Sequence, residues 1–184
     1  MSAPEPQTVR LTKLEAAKRQ IITAIWLWFK DADIVSIHTL TAAAFGILND
    51  LLHHRKKGRP MPFDEQYMPK GYEKEIRELL KSDEVFFKHA RKDPNAIHEL
   101  YTDWTGIYLL TTVKAYFDLQ GENEALHPLM TLLSFWFALT DPELFQKIPP
   151  LSLKSGSVEE LRKLSKFEYF QVAGGLFVDT PPVE

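Results

Sequence analysis

From Leu14 onward apolar residues recur at steps of three and four, and Leu14, Ala17, Ile21, Ile25 and Trp28 fall on one helical face. Ile22, Trp26 and Phe29 widen the stripe and leave Lys13, Lys18, Arg19 and Lys30 at its flanks. A surface this broad predicts a helix with more than one neighbour. Thr12-Lys13-Leu14-Glu15 is a capping box, so the helix should begin there: the Thr hydroxyl can accept the Glu15 amide while the Glu15 carboxylate reaches back. Asp31-Ala32-Asp33 breaks the run and offers Asp33 as the next cap, its carboxylate suited to the positive helix start. From Ile34 to about His54 nearly every turn carries Ile, Leu, Ala or Phe, and Ala42, Ala43 and Ala44 admit close approach of another helix. This predicts the central helix, ended by His53-His54-Arg55-Lys56-Lys57-Gly58, where cations meet the negative helix end and Gly58 can take the left-handed cap.

Arg59 to Gly71, with Pro60, Pro62 and Pro69, reads as a long connection. A third helix is predicted from about Tyr72 to Ala90, with Ile76, Leu79, Leu80, Val85, Phe86 and Phe87 inward and a kink at Ser82-Asp83, where a helix could restart. Asp93-Pro94 is a stop, because proline pushes its predecessor out of the helical region. A fourth helix should run from Thr102 or Asp103 to Gly121, and a fifth from about Glu124 to Thr140 with Pro128 near its first turn. Asp141-Pro142-Glu143 looks like the cap of a short turn ending at Pro149-Pro150. Ser157-Val158-Glu159-Glu160 is a second capping box, followed at helical spacing by Leu161, Leu164 and Phe167 or Glu168. No strand alternation persists and no internal repeat is present. The expected fold is therefore all-α, an irregular bundle of five to six helices, with residues 1–11 a mobile leader, 12–172 a single helical domain and 173–184 a frayed tail.

Composition narrows the function classes. A chain of 184 residues, 45% hydrophobic and 26% charged, can build one sizeable core. Its formal charge of −3 gives no global basic field, so any nucleic-acid contact must use a local patch. The absence of cysteine excludes disulfides, thiol nucleophiles and Cys-ligated zinc, and fits a reducing compartment. The first ten residues lack a signal-peptide pattern, and the apolar stretch from Ala125 to Leu139 is interrupted by His127 and Pro128 and is too short for the roughly 20 residues of a membrane span. A cytoplasmic protein with no membrane partner is expected. No Gly-rich phosphate loop, nucleophile elbow, metalloprotease or cysteine-metal pattern occurs, so no cofactor and no metal are expected.

The candidate chemistry concentrates between Val85 and His98. Phe86 and Phe87 anchor the end of an inward-facing helix, and Lys88, His89, Arg91, Lys92 and Asp93 follow at once, a dense polar cluster at a helix terminus. A neutral His can take a proton from a sugar hydroxyl while Arg or Lys stabilises charge on a phosphate, so His89 or His98 with Lys88 and Arg91 would suffice for metal-independent RNA cleavage. The plainer reading of the same residues is a helix end with cations complementing its dipole, His89 as packing and cap, and a proline stop.

The helical layout, with an N-terminal amphipathic helix, an alanine-rich second helix and an Arg…His segment between later helices, resembles the HEPN superfamily of small helical bundles. Many of its members carry an Arg-x(4–6)-His motif and act as ribonucleases, commonly as dimers with the motifs facing each other; others bind nucleotides or assist nucleotidyltransferases. Arg91 and His98 enclose six residues, which fits that motif, with Lys92 where the superfamily often has Asn, Asp or His and Pro94 inside it. The resemblance implies Arg91 and His98 as catalytic candidates, with RNA or a nucleotide as the possible ligand. The Phe87-Lys88-His89-Ala90 and Asp93-Pro94 pieces are also similar to an uncharacterised group of bacterial proteins of like length.

Three further features stand out. His38 shares a face of the most apolar helix with Thr41, Ala42 and Phe45, so it should be buried and must find a hydrogen-bond partner. If His38 met His89 across the second and third helices, the two imidazoles and Lys88 could line a small-molecule pocket. His53-His54 point about 100° apart and cannot chelate one ion together; with Arg55, Lys56, Lys57 and Arg59 they make a basic patch or a solvated helix end. The aromatics Trp26, Trp28, Trp104, Phe135, Trp136 and Phe137 are mainly core by default, but Phe135-Trp136-Phe137 cannot all face one way, and an aromatic left on the surface points to a homodimer, functional or purely structural.

Overall fold

A computed structural model describes residues 8–55, 73–91, 93–120, 125–142 and 155–174. Seven helices and no strands occur among them: α1 (Lys13–Phe29), α2 (Ile34–His54), α3 (Glu73–Lys88), α4 (Thr102–Gln120), α5 (Pro128–Thr140), α6 (Ser155–Arg162) and α7 (Lys166–Gly174). The fold is the all-α bundle expected, with one or two helices more than the periodicity suggested.

The local signals operate as read at the first two helices. Thr12 Oγ1 accepts the Glu15 amide at 3.1 Å while Glu15 Oε2 accepts the Thr12 amide at 2.8 Å, closing the capping box. Asp33 Oδ2 accepts the Ser36 amide at 2.8 Å and so starts α2. Between them Asp31 adopts a positive φ of 49°, a left-handed corner that Asp tolerates better than most residues. Helix α2 packs between α1 and α4, and α5 with α7 closes the other side of α1. By length and composition α2 is also apolar enough to cross a membrane, a property the sequence reading looked for only in Ala125–Leu139.

Several expectations need correction. Helix α3 ends at Lys88, two residues early, and runs through Ser82-Asp83 without restarting; Asp83 turns inward instead. Val85, expected inside, is 49% exposed. Helix α5 starts only at Pro128, because the His127 ring accepts the Leu129 amide at 3.2 Å as N-cap and Pro128 takes the first position, where a missing N–H costs nothing. The single helix drawn after Ser157 is two: α6 begins at Ser155, and Ser165 with Glu168 forms another capping box that opens α7, its side chains satisfying each other's amides at 2.8 and 3.3 Å. Gly58, residues 59–71 and the Pro149-Pro150 turn lie outside the described residues, as do 1–7 of the expected leader and 175–184 of the expected tail.

The core is one cluster built on Ile21, Ile25, Phe29, Ile37, Leu48, Leu109, Leu129 and Leu133, all essentially inaccessible. Its aromatic end stacks Phe29 on Phe170 and Tyr169 at centroid distances of 5.1 and 6.0 Å, and Trp28 on Phe137 at 5.5 Å. Burial holds the Tyr169 hydroxyl well above its ordinary pKa, so it stays a donor, to the Leu132 carbonyl at 3.2 Å. Gly106 lets α4 approach this end: a Cβ there would stand 3.1 Å from Phe137 and 3.2 Å from Trp28. A smaller cluster, Ala42, Leu80 and Tyr108 with Phe45 and Trp104 against it, joins α2, α3 and α4. The polar residues discussed next border that second cluster.

Candidate functional site

On α3, Leu80, Asp83 and Phe87 follow one another at steps of three and four, so the face that carries Leu80 into the small cluster also carries a carboxylate. Asp83 is 1% exposed. A carboxylate this deep must be met by donors, and two imidazoles flank it. His98, in the extended segment before α4, gives its Nε2 to Asp83 Oδ1 in a short hydrogen bond. His38, fully buried on α2, turns its Nε2 toward Asp83 Oδ2 at 3.9 Å, a charge contact that is too long for a hydrogen bond.

The rest of the surroundings fixes both rings. His38 Nδ1 lies 3.1 Å from the Thr105 hydroxyl on α4. Burial pushes the His38 pKa below its ordinary value, against the opposing pull of Asp83, the Leu80 carbonyl and Glu84 and with a small contribution from His98 in the same direction. His38 is therefore neutral at pH 7, and Thr105 donates to Nδ1 if the proton sits on the nitrogen facing Asp83. The His98 ring stacks on Phe86 at 4.9 Å and 24° and meets Phe87 edge-on at 6.4 Å. Phe87 and Tyr108 in turn pack against His38 at 5.7 and 5.6 Å. Burial, with the Glu84 charge second, raises the Tyr108 pKa far out of the physiological range, so its hydroxyl stays protonated.

His98 alone of this group reaches the surface, its side chain 18% exposed. With Nε2 committed to Asp83, Nδ1 is the nitrogen left for a substrate. A carboxylate accepting at one ring nitrogen favours the tautomer that carries its proton there.

The other sequence candidates lie elsewhere. Lys88 Nζ pairs with Glu84 at 2.6 Å on the surface of α3. His89 is exposed, and its amide bonds the Val85 carbonyl at 3.0 Å to finish the helix. Arg91 is exposed beyond that end. Asp93-Pro94-Asn95-Ala96 then turns, closed by the Ala96 amide on the Asp93 carbonyl at 3.0 Å. His38 thus faces Asp83, whose other carboxylate oxygen accepts from His98, whereas His89 is exposed. His53 and His54 are exposed at the end of α2, and Arg55 reaches back to the Leu119 carbonyl at 2.7 Å. Sequence reasoning missed Asp83 and Thr105. Among the described residues no group of three or more His, Asp or Glu is placed to hold a metal ion.

These features define a class, a helical bundle in which a buried carboxylate on the third helix anchors a histidine from the segment before the fourth. No family model, curated protein or solved structure matches the chain.

Proposed function

We propose that the protein is a HEPN-like, RNA-associated helical bundle that cleaves RNA without a metal, with His98 as general acid/base, Asp83 as the residue that positions it and Arg91 as phosphate clamp. The observation that carries this reading is the Asp83–His98 bond, which holds a partly exposed imidazole against a buried carboxylate. In the reaction Nδ1 of His98 takes the proton of a ribose 2′-hydroxyl; the oxygen attacks the adjacent phosphorus, and the P–O5′ bond breaks to give a 2′,3′-cyclic phosphate and a 5′-hydroxyl that takes its proton from water. Arg91 offers a permanent charge to the non-bridging oxygens. His89 and Lys88 are auxiliary, the latter once released from Glu84.

The protein acts as a homodimer in the cytoplasm in this reading. Val85 on α3 and Ile97 and Tyr101 in the segment that bears His98 are 49%, 96% and 57% exposed, an apolar set suited to covering by a second copy.

The test is cleavage of a single-stranded RNA in chelator-containing buffer. His98→Ala should lower the rate by about 10²–10⁴-fold, the usual worth of a general acid/base. Unchanged cleavage by folded His98→Ala, or no cleavage by the wild type, overturns the proposal. The second reading, a purely structural staple, is favoured by the His38–Thr105 bond, which no substrate can reach. A tight dimer without cleavage would favour it.

A further inference from the structure

A concave feature lies where the corner between α1 and α2 faces the start of α4 and the end of α5. It encloses about 690 Å³, well within the range of small-molecule sites. Trp28, Trp136 and Phe137 supply its aromatic wall, and Asp31, Asp103 and Asp141 its carboxylates. Among the described lining residues Lys166 is the one cation.

Lys166 displays the chemistry that the cleft favours. Its ammonium lies 4.4 Å from the centre of the Trp28 ring and pairs with Asp31, which the left-handed corner after α1 presents to it. A cation between an aromatic face and a carboxylate is the arrangement by which proteins recognise organic ammonium groups. The backbone agrees in sign. The α2 and α4 starts, positive by their dipoles, are already met by Asp33 and Asp103. The α1 and α5 ends, negative by theirs, carry no basic residue in their last turns. Lys30, the α1 C-cap, turns its ammonium over Trp26, and Arg162 reaches the Leu139 carbonyl from outside the lining. Among the described lining residues three carboxylates face one ammonium.

We propose that this cleft binds a small organic cation, its apolar body among Trp28, Trp136 and Phe137 and its charged group replacing the Lys166 ammonium against Asp31. Lys166 is then a built-in competitor, its ammonium paired with an Asp31 carboxylate that is 64% exposed and so open to an incoming cation. The site shares no residue with the Asp83–His98 pair, so its test is independent of RNA cleavage.

The experiment is calorimetric titration of the full chain with benzyltrimethylammonium, benzyl alcohol and benzoate, with circular dichroism as the check on folding. Benzyltrimethylammonium should bind and the neutral and anionic probes should not. Lys166→Met and Lys166→Gln should both tighten binding and Asp31→Asn should weaken it, each by about tenfold, the scale of one cation–π or ion-pair contact. Equal binding of benzyl alcohol, absence of benzyltrimethylammonium binding, or folded Lys166 variants that bind no tighter than wild type would overturn the proposal.

Discussion

His38 and Thr105 stand 67 positions apart in the chain and meet at 3.1 Å across the contact between α2 and α4, both fully buried. That bond holds a neutral imidazole beside a carboxylate on a third helix. Thr105→Val keeps the shape and removes the hydroxyl, leaving His38 Nδ1 without its partner. Urea denaturation should show a loss of about 1–3 kcal/mol, the cost of an unsatisfied buried polar group. Thr105→Ser should recover most of it.

Asp83 carries more weight than any single neighbour. Removing it with Asp83→Ala strips His98 Nε2 of its buried acceptor and His38 Nε2 of the carboxylate it faces, and a buried polar group left unsatisfied costs about 1–3 kcal/mol. Asp83→Asn retains an acceptor oxygen and a similar volume, so it should be much milder in denaturation and still lower RNA cleavage.

The His38 pKa shift fixes the sign of a pH effect. Burial lowers the folded-state pKa, so between that value and the ordinary one near 6.5 the unfolded chain binds the proton that the folded chain refuses. The stabilisation is complete above the unfolded pKa and is lost as pH falls through this window, at up to about 1.4 kcal/mol per pH unit for one proton. The groups facing His38 are Asp83, Glu84, His98 and Tyr108, and the first two oppose the shift without reversing it. His127 is lowered too, chiefly by burial and then by Lys18, and adds an effect of the same sign. In a His127→Asn background, thermal unfolding between pH 7.5 and 5 measures the His38 part. Stability that rises on acidification would contradict it.

Gly46 sits exposed inside α2, and a Cβ there would meet nothing within 4 Å. Gly46→Ala should stabilise the fold by about 0.5–1 kcal/mol, since alanine removes backbone freedom from the unfolded chain at no steric cost. Gly106, pressed against Phe137 and Trp28, should respond with the opposite sign. Chemical denaturation of the two alanine variants separates them.

The sequence and the structure part company where long-range neighbours decide. Thr12, Glu15 and Asp33 act through residues three positions away, so their caps were readable from local order. His38 was readable as a buried histidine needing a partner because its whole face is apolar. Asp83 was not, since Ser82-Asp83 also fits a helix restart, and only the docking of His98 from 15 positions further on makes its carboxylate central. The signal was present in the Leu80, Asp83, Phe87 spacing, which puts an acid on the buried stripe. The division between α6 and α7 was missed for a simpler reason: Leu161, Leu164 and Phe167 keep helical spacing across a break that Ser165 and Glu168 impose.

The Asp83–His98 bond predicts a single ring tautomer, and nitrogen-15 correlation spectra of the labelled imidazoles read it directly. At neutral pH, wild-type His98 should carry its proton on Nε2 with Nδ1 bare, and Asp83→Ala should return the ring to a mixture of forms. A wild-type His98 protonated on Nδ1, or a spectrum that Asp83→Ala leaves unchanged, would contradict the account.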